Sequence, residues 1–441
     1  MVQTQQLRTL NFGSVQVIGL LGSGGQGKVY KVNYNGQEKA MKWFHDSYLK
    51  NMDKDGGNKN KKAFFNNLKN NSEKNPPTGS FLWPQDIVIN AGDNTENLKG
   101  SFGYIMDIRP QEYEELTKFL LLKARFATNE ALINAAINTI SGFSALHNDG
   151  YSYQDINNGG FFINPKNGDV LICDNDNIAG QNQNFGISGK QRYMAPEVVL
   201  GGTPDKYSDR FSLAVVLFRM IFMEHPLEGR YSTPPCMTPE FEKRYYGSDP
   251  VFIFDPNDKR NEASVNMQTN AYNLWPMFPD YIKQLFIDTF SSEAVKNPIK
   301  RPIEKKWIDA FVRLRGENVR CIKCGEENFV TSGKKIKCMK CGAEIEPSMT
   351  LKFKKFSIPV YPGVRISKWQ VSDGYMDPIG IMGAVIANPN NPEMLGILNM
   401  YDKPWTVIAP SGNTKQVMPK EMLPARPGFK IVIDDNEGTI Q

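Results

Sequence analysis

The sequence predicts an α+β protein built in three parts, and three observations carry that reading. Residues 10–34 read as strand, Gly-rich turn, strand; apolar residues at helical spacing take over from Thr128; and short apolar runs after Leu351 are divided by Asn-Pro, Ser-Gly and Pro-Gly turns. The expected units are a two-lobed one over residues 1–316 (small lobe to about 107, large lobe from about 108), a cysteine-rich module over 317–346 and a β-sandwich over 350–441. A chain of 441 residues has the length for more than one core.

Composition narrows the class. A hydrophobic content of 40% and a mean hydropathy of −0.44 describe a soluble globular protein. The formal charge of +5 is mild for this mass and demands neither nucleic acid nor an anionic membrane. Met1 to Leu10 is polar and lacks the basic-then-apolar pattern of a secretory signal. The most apolar stretch, Leu213 to Met223, has eleven residues and contains Arg219, well short of the roughly 20 needed to span a bilayer. A cytoplasmic protein without membrane contact is therefore expected. Six cysteines are too few for a disulfide scaffold, and four fall in two tight pairs, which favours metal.

In the first strands, Val15, Val17 and Leu20 precede the glycines and Val29, Tyr30 and Val32 follow them. Gly22-x-Gly24-x-x-Gly27-x-Val29 is a spacing that lets backbone approach phosphates closely. A dinucleotide-binding fingerprint has the same spacing but opens a helix, and Val29-Tyr30-Lys31-Val32 reads as strand. Lys42, in Lys39-Ala40-Met41-Lys42, follows Val29 by thirteen residues. A helix is expected over about 58–71 with Phe64, Phe65 and Leu68 on its buried face; it holds no acid, and Glu73 stands next to the helix-ending Asn75-Pro76-Pro77. Phe102 to Arg109 reads as a short buried strand. Ile133, Ile137, Ile140 and Phe143 mark an amphipathic helix over Thr128 to His147, with His147 a structural residue at its end. Tyr153-Gln154-Asp155 leads to Gly159-Gly160 and the apolar Phe161-Phe162-Ile163, and Val170-Leu171-Ile172 opens into Asp174-Asn175-Asp176. Met194-Ala195-Pro196-Glu197 ends the segment from Ser188, and Ser208 is a candidate N-cap for the apolar helix that follows.

This ordered set, over roughly Phe12 to Leu314, resembles Ser/Thr-type protein kinases and implies their bilobal fold. The resemblance implies ATP and Mg²⁺ or Mn²⁺ as cofactors and a protein as substrate. Gly22, Gly24, Gly27, Val29 and Ala40 would line the nucleotide site, with Lys42 on the α and β phosphates, Met106 behind the adenine, and the backbone of Asp107 and Arg109 bonding the base. Asp155 falls in the place of the catalytic base and Asp174 in that of the metal-binding aspartate. Asp176 is a candidate second metal ligand. Glu197 would pair with Arg301, and Asp209 would brace the catalytic loop. The chain also departs from the pattern. Tyr153-Gln154 stands for His-Arg, so activation by a phosphate docking on that arginine is not expected. Gly160 stands where the family has a metal-binding asparagine, and Asn175-Asp176 replaces Phe-Gly. A scaffold that binds nucleotide without efficient transfer is the alternative those departures favour.

Cys321-x-x-Cys324-Gly325 and Cys338-x-x-Cys341-Gly342, separated by thirteen residues, form the pattern of a zinc ribbon. Four thiolates with no further ligand predict structural Zn²⁺. Lys334, Lys335, Lys337 and Lys340 make the module basic, leaving a nucleic-acid role as a third reading beside a solvated face. In the last strands, Leu395 to Asn399 followed by Trp405 is faintly similar to forkhead-associated (FHA) domains, although their Asn-Gly-Thr and Ser-Arg-x-x-His elements are missing. The whole arrangement resembles bacterial stress-associated kinases that accompany tellurite-resistance proteins, which implies a phosphatase or a von Willebrand A-type signalling partner.

Overall fold

Residues 7–106 build one antiparallel sheet whose central strands Asp86–Asn90 and Phe102–Met106 are mostly apolar and buried, while Gln16–Ser23 at its edge is largely exposed. In the computed structural model its seven strands run in the order Gly13–Ser14, Leu7–Thr9, Asp86–Asn90, Phe102–Met106, Gln37–Phe44, Gly27–Tyr34, Gln16–Ser23. The structure describes residues 7–441 except 54–58, 97, 182, 186–188, 233–235, 237, 332–333, 373 and 375. Residues 1–6 of the polar start, residue 58 of the expected helix and Ser188 thus lie outside the described residues. The helix Lys59–Ser72 lays Phe64, Phe65 and Leu68 on the sheet, Phe64 against Phe44 and Phe65 against Phe102 with ring centroids 5.2 and 5.1 Å apart.

Beyond the sheet the chain turns helical. Asn129–Asn148 is capped by Thr128, whose hydroxyl accepts from the Ala131 amide. Lys206–Phe222 is capped by Asp205 rather than by the expected Ser208; Ser208 stands three residues later and closes a reciprocal capping box. The sequence reading missed this because either residue type caps well and only geometry chooses between them. The helices Asp280–Phe290 and Glu304–Gly316 complete the lobe. A three-stranded sheet, Val170–Ile172, Phe161–Ile163 and Glu114–Glu115, lies beside them and carries a loop at each end. No helix among the described residues is long and apolar enough to cross a membrane.

His147 locks this lobe. Its ring lies 3.1 Å from Asp209 and 2.9 Å from Glu304, and Arg210 also bonds Glu304 at 2.7 Å. Burial lowers the affinity of His147 for a proton, but the hydrogen bonds to Asp209 and Glu304 outweigh it and raise its pKa to about 9. Burial pushes the Glu304 carboxyl up, while hydrogen bonds from His147 and Arg210 outweigh that and hold it at about 2. The His147 contribution to stability is therefore fully present below its ordinary 6.5 and lost as pH rises through about 9. The Glu304 contribution is present above its ordinary 4.5 and lost as pH falls through about 2. Melting measured from pH 5 to 10 should fall across 6.5 to 9 in the native chain, and His147→Gln should flatten that fall.

The helix Glu304–Gly316 leads into two small hairpins, Asn318–Arg320 with Glu327–Phe329 and Ile336–Lys337 with Glu344–Ile345. After them come a six-stranded sheet, ordered Ser357–Pro359, Thr350–Lys352, Asn436–Ile440, Lys430–Ile433, Trp405–Ile408, Thr414–Val417, and a four-stranded one, Arg365–Ser367, Ile381–Asn388, Asn391–Asn399, Met422–Pro424. The sheets meet where Trp405, fully buried, abuts Gly383: a Cβ there would stand 2.8 Å from the indole. Asn399 is fully buried and satisfied within the fold, its amide donating to the Lys403 and Val417 carbonyls and accepting from the Tyr401 amide.

These C-terminal parts share a continuous hydrophobic core with the helical lobe. Glu304–Gly316 is the seam. Asp309 receives the Trp369 indole at 2.7 Å and Lys355 at 2.9 Å, while the buried Arg315 donates to the Pro378 carbonyl at 2.5 Å and to Asn134 at 2.9 Å.

Candidate functional site

Lys42 lies on Gln37–Phe44, between Val29 and Tyr104 in the sheet register, and its ammonium group is buried in the cleft between the lobes. Its three N–H donors are all engaged: Gln26 Oε1 at 2.8 Å, Asp174 Oδ1 at 2.9 Å and Asp176 Oδ1 at 2.9 Å. Burial pulls the lysine pKa down, but the Asp176 and Asp174 carboxylates outweigh it and hold it above its ordinary value. Lys42 is thus a fixed cation.

Gly27 is the tight point of the Gly-rich turn, since a Cβ there would stand 2.3 Å from the Trp43 carbonyl oxygen. At Gly22 and Gly24 a Cβ would meet nothing within 4 Å, which leaves the cleft side of the turn open. Ala40 pairs with Met106 across the sheet, both buried. Asp107 is held by Lys39 at 2.5 Å and Gln85 at 2.9 Å, and Arg109 lies over the Phe162 ring.

Asp155 sits on the loop before Phe161–Ile163. Its Oδ1 accepts from the Asn157 amide at 3.2 Å and its Oδ2 faces the Asn177 amide at 3.4 Å. Burial raises its pKa to about 6; the hydrogen bond from Asn157 opposes that and the Asp174 charge adds to it. Asp209 holds the loop from below, its carboxylate accepting from the Tyr153 amide at 2.6 Å and the Gln154 amide at 3.1 Å. Gln154 (φ 71°) and Asp174 (φ 56°) both adopt the left-handed conformation, which costs a non-glycine residue free energy. Both flank the cleft.

Asp174 and Asp176 differ in exposure. The Asp174 carboxylate is about half exposed, a fit for a divalent-cation ligand, whereas Asp176 is completely buried. Asp176, the candidate second metal ligand, accepts from Lys42 and Tyr104 through Oδ1. Gly160 offers no side-chain oxygen, and Tyr153 occupies the space beside it. A Cβ at 160 would stand 3.3 Å from the Tyr153 hydroxyl, which donates to the Cys173 carbonyl, and 3.6 Å from that carbonyl oxygen. Asn158 is engaged elsewhere, with Thr117 and Tyr193, and Asn157 with Asp155, Lys190 and the Gly159 amide.

Glu197 and Arg301 meet as two parallel hydrogen bonds of 2.6 and 2.8 Å, and Arg301 also donates to the Tyr207 carbonyl. The Arg301 side chain has no exposed surface.

The four cysteines Cys321, Cys324, Cys338 and Cys341 converge at the hairpin tips, all sulfurs within 4.8 Å of one another. Cys321 lies 3.6 Å from Cys341 and Cys324 3.6 Å from Cys338. A tetrahedral site with zinc–sulfur bonds of about 2.3 Å has sulfur–sulfur edges of about 3.8 Å, so the set fits zinc. Each knuckle closes alike: Gly325 and Gly342 take positive φ (75° and 69°) and donate to the Cys321 and Cys338 carbonyls at 2.8 Å.

With this geometry in place, comparison with known proteins shows that residues 92–249 match the protein kinase domain. The matched stretch contains Asp155, Asp174, Glu197 and Asp209; Lys42 and Arg301 lie outside it. The chain is 25% identical over 221 residues, 48% of its length, to protein kinase C-like 1 of Candida albicans. It is 31% identical over 111 residues, 24% of its length, to protein kinase C delta type of Rattus norvegicus. These alignments span 18% and 16% of the two relatives, so the chain covers less than a fifth of either. Domain match and relatives together support a Ser/Thr kinase-like family for this region, on an α+β fold.

Sequence reasoning missed four residues at these sites. Gln26 reaches Lys42 from the Gly-rich turn, Tyr104 bonds Asp176, Asn177 faces Asp155, and Asn328 donates to the Cys338 sulfur at 3.7 Å while accepting from the Met339 amide. Spacing carries no signal for the first three: Gln26 and Asn177 meet partners 16 and 22 residues away within their own lobes, and Tyr104 meets Asp176 only where the lobes close. Asn328, between the cysteine pairs, was within reach of a search for groups that bond thiolates.

Proposed function

We propose that the chain is an ATP-dependent Ser/Thr protein kinase that transfers the γ-phosphate to a protein hydroxyl and carries a structural zinc ribbon and a C-terminal interaction module. The observation that carries this is the convergence in one cleft of Lys42, Asp155 and Asp174, with Lys42 2.9 Å from Asp174. In this reading Gly22, Gly24, Gly27, Val29 and Ala40 surround the nucleotide, Met106 backs the adenine, and backbone at Asp107 and Arg109 bonds it. Lys42 orients the α and β phosphates. Asp174 holds Mg²⁺ or Mn²⁺, which when bound neutralises phosphate charge. Asp155, with a pKa of about 6, is ionised at neutral pH and takes the proton of the acceptor hydroxyl. Gln26 must leave Lys42 as phosphate arrives. Glu197, Arg301 and Asp209 hold the scaffold, and the three units divide near residue 316 and between 346 and 350.

The test is transfer of labelled γ-phosphate from ATP to the protein and a generic substrate. Wild type should transfer, with a rate that rises through pH 6 and then levels, and Asp155→Asn should lower it by about 10²- to 10⁴-fold. A full-rate Asp155→Asn would sink the assignment. The second reading, a nucleotide-binding scaffold, is favoured by Gly160 with Tyr153 crowding it. Because an asparagine at 160 needs the Tyr153 ring to yield, the informative variant is Tyr153→His with Gly160→Asn. Silence in wild type with transfer by that double variant would define a disabled kinase. Silence in both, with nucleotide binding retained, would establish the scaffold.

Two features bear on partners. Lys335 pairs with Glu344 at 2.7 Å and Lys340 with Glu326 at 3.4 Å, which favours a solvated face over a nucleic-acid surface on the ribbon. Asn399, within the stretch similar to forkhead-associated domains, has its side chain committed inside the fold, so phosphopeptide binding gains no support there. A phosphatase or von Willebrand A-type partner and a cytoplasmic location rest on the resemblance to bacterial stress-associated kinases and on composition alone.

A further inference from the structure

The helix over the sheet, Lys59–Ser72, contains no aspartate or glutamate, so no carboxylate from it can hold Lys42. What the helix does offer is amides: Asn67 and Asn71 donate to the Ile178 carbonyl at 2.7 and 3.0 Å. It therefore grips the backbone just after Asp174-Asn175-Asp176. Asp176 lies inside that turn with a side chain of zero exposure. Its Oδ1 accepts from Lys42 Nζ at 2.9 Å and from the Tyr104 hydroxyl at 3.0 Å. Lys42 and Tyr104 are direct cross-strand partners, so one pair of strands clamps one carboxylate oxygen.

A carboxylate buried this completely persists only when paired, because removal from water costs more than any neutral hydrogen bond returns. Its partner is Lys42. Asp174 shares the lysine but is about half exposed and has room to turn toward a cation; Asp176 has none. When Asp174 turns away, Asp176 remains.

We propose that Asp176 is the permanent counter-ion and positioning residue of Lys42, so that the turn that presents Asp174 also sets the lysine. This rests on the reading of the cleft as a phosphotransfer site. Its consequence is that lysine placement is tied to the 174–178 segment itself, and the helix acts by gripping that segment through Asn67 and Asn71.

The experiment is a double-variant cycle on the full chain with Asp176→Asn, Lys42→Met and both together, read by melting temperature and by γ-phosphate transfer. Lys42→Met alone strands a buried carboxylate and should lower the melting temperature most. Adding Asp176→Asn should restore part of that loss, because the stranded charge is gone. Additive losses would overturn the pairing. In transfer, Asp176→Asn should cost at least tenfold in kcat/KM for ATP in the wild-type background. In the Lys42→Met background it should cost nothing further. A full-rate Asp176→Asn would overturn the positioning role. A wild type that transfers nothing would overturn the phosphotransfer reading instead, while the melting cycle still decides the pair.

Discussion

Replacing Cys338 by serine, or withdrawing metal with a strong chelator, should unfold the module at residues 317–346 and weaken the chain beyond it. Metal analysis of the native protein should give one zinc per chain, and the Cys338→Ser variant should give none. Four sulfurs gathered within 4.8 Å would repel as thiolates without a cation, and the hairpins around them have strands of only two or three residues. Such short pieces have little hydrophobic core of their own, so binding energy is folding energy; for isolated zinc modules it is about 10–16 kcal/mol. The loss should travel. Phe329 packs tilted against Phe278 with centroids 5.2 Å apart, Glu327 accepts from the Asn129 amide at 2.5 Å, and Tyr281 donates to Glu317 at 2.6 Å, so the cysteine module holds two helices of the large lobe. Chelation should accordingly lower the melting temperature of the whole chain. An unchanged melt, or a native protein without zinc, would remove the structural-metal assignment.

Glu197→Ala should destabilise the large lobe by about 3–5 kcal/mol, the cost of stranding a buried charge. The Arg301 side chain has no exposure and stacks on Phe211, and its remaining acceptor would be the Tyr207 carbonyl. Glu197→Gln should cost less, since a neutral oxygen still accepts. Replacing both partners by apolar residues of similar size should recover much of the loss, because the desolvation penalty goes with the charges. Urea denaturation of the four proteins measures this; a single Glu197→Ala variant as stable as wild type would show that the pair contributes nothing.

Much of the fold was legible because it depends on local pattern. The Gly-rich turn between strands follows from alternation and spacing, and the helix at Asn129–Asn148 from apolar residues at helical intervals after a capping threonine. The cysteine module follows from two repeats of one short motif. What local pattern could not supply was the set of short strands Thr350–Lys352, Arg365–Ser367, Thr414–Val417, Met422–Pro424 and Asn436–Ile440. Thr414–Val417 shows why: three of its four residues are exposed, and its place at the sheet edge comes from pairing with Trp405–Ile408.

The sequence by itself determined the candidate reacting groups, since Lys42, Asp155, Asp174 and the four cysteines stand in motifs whose spacing is set by strand, loop and knuckle geometry. It also determined the absence of an acid on the Lys59–Ser72 helix. Only the tertiary structure decided what replaces that acid. Lys42 and Asp176 are separated by 134 residues, and their contact exists because the lobes close on a fully buried carboxylate that needs a cation, with the Tyr104 hydroxyl as a second donor. The same holds for Tyr153 beside Gly160: a missing side chain is visible in sequence, while what fills its space depends on how the core packs.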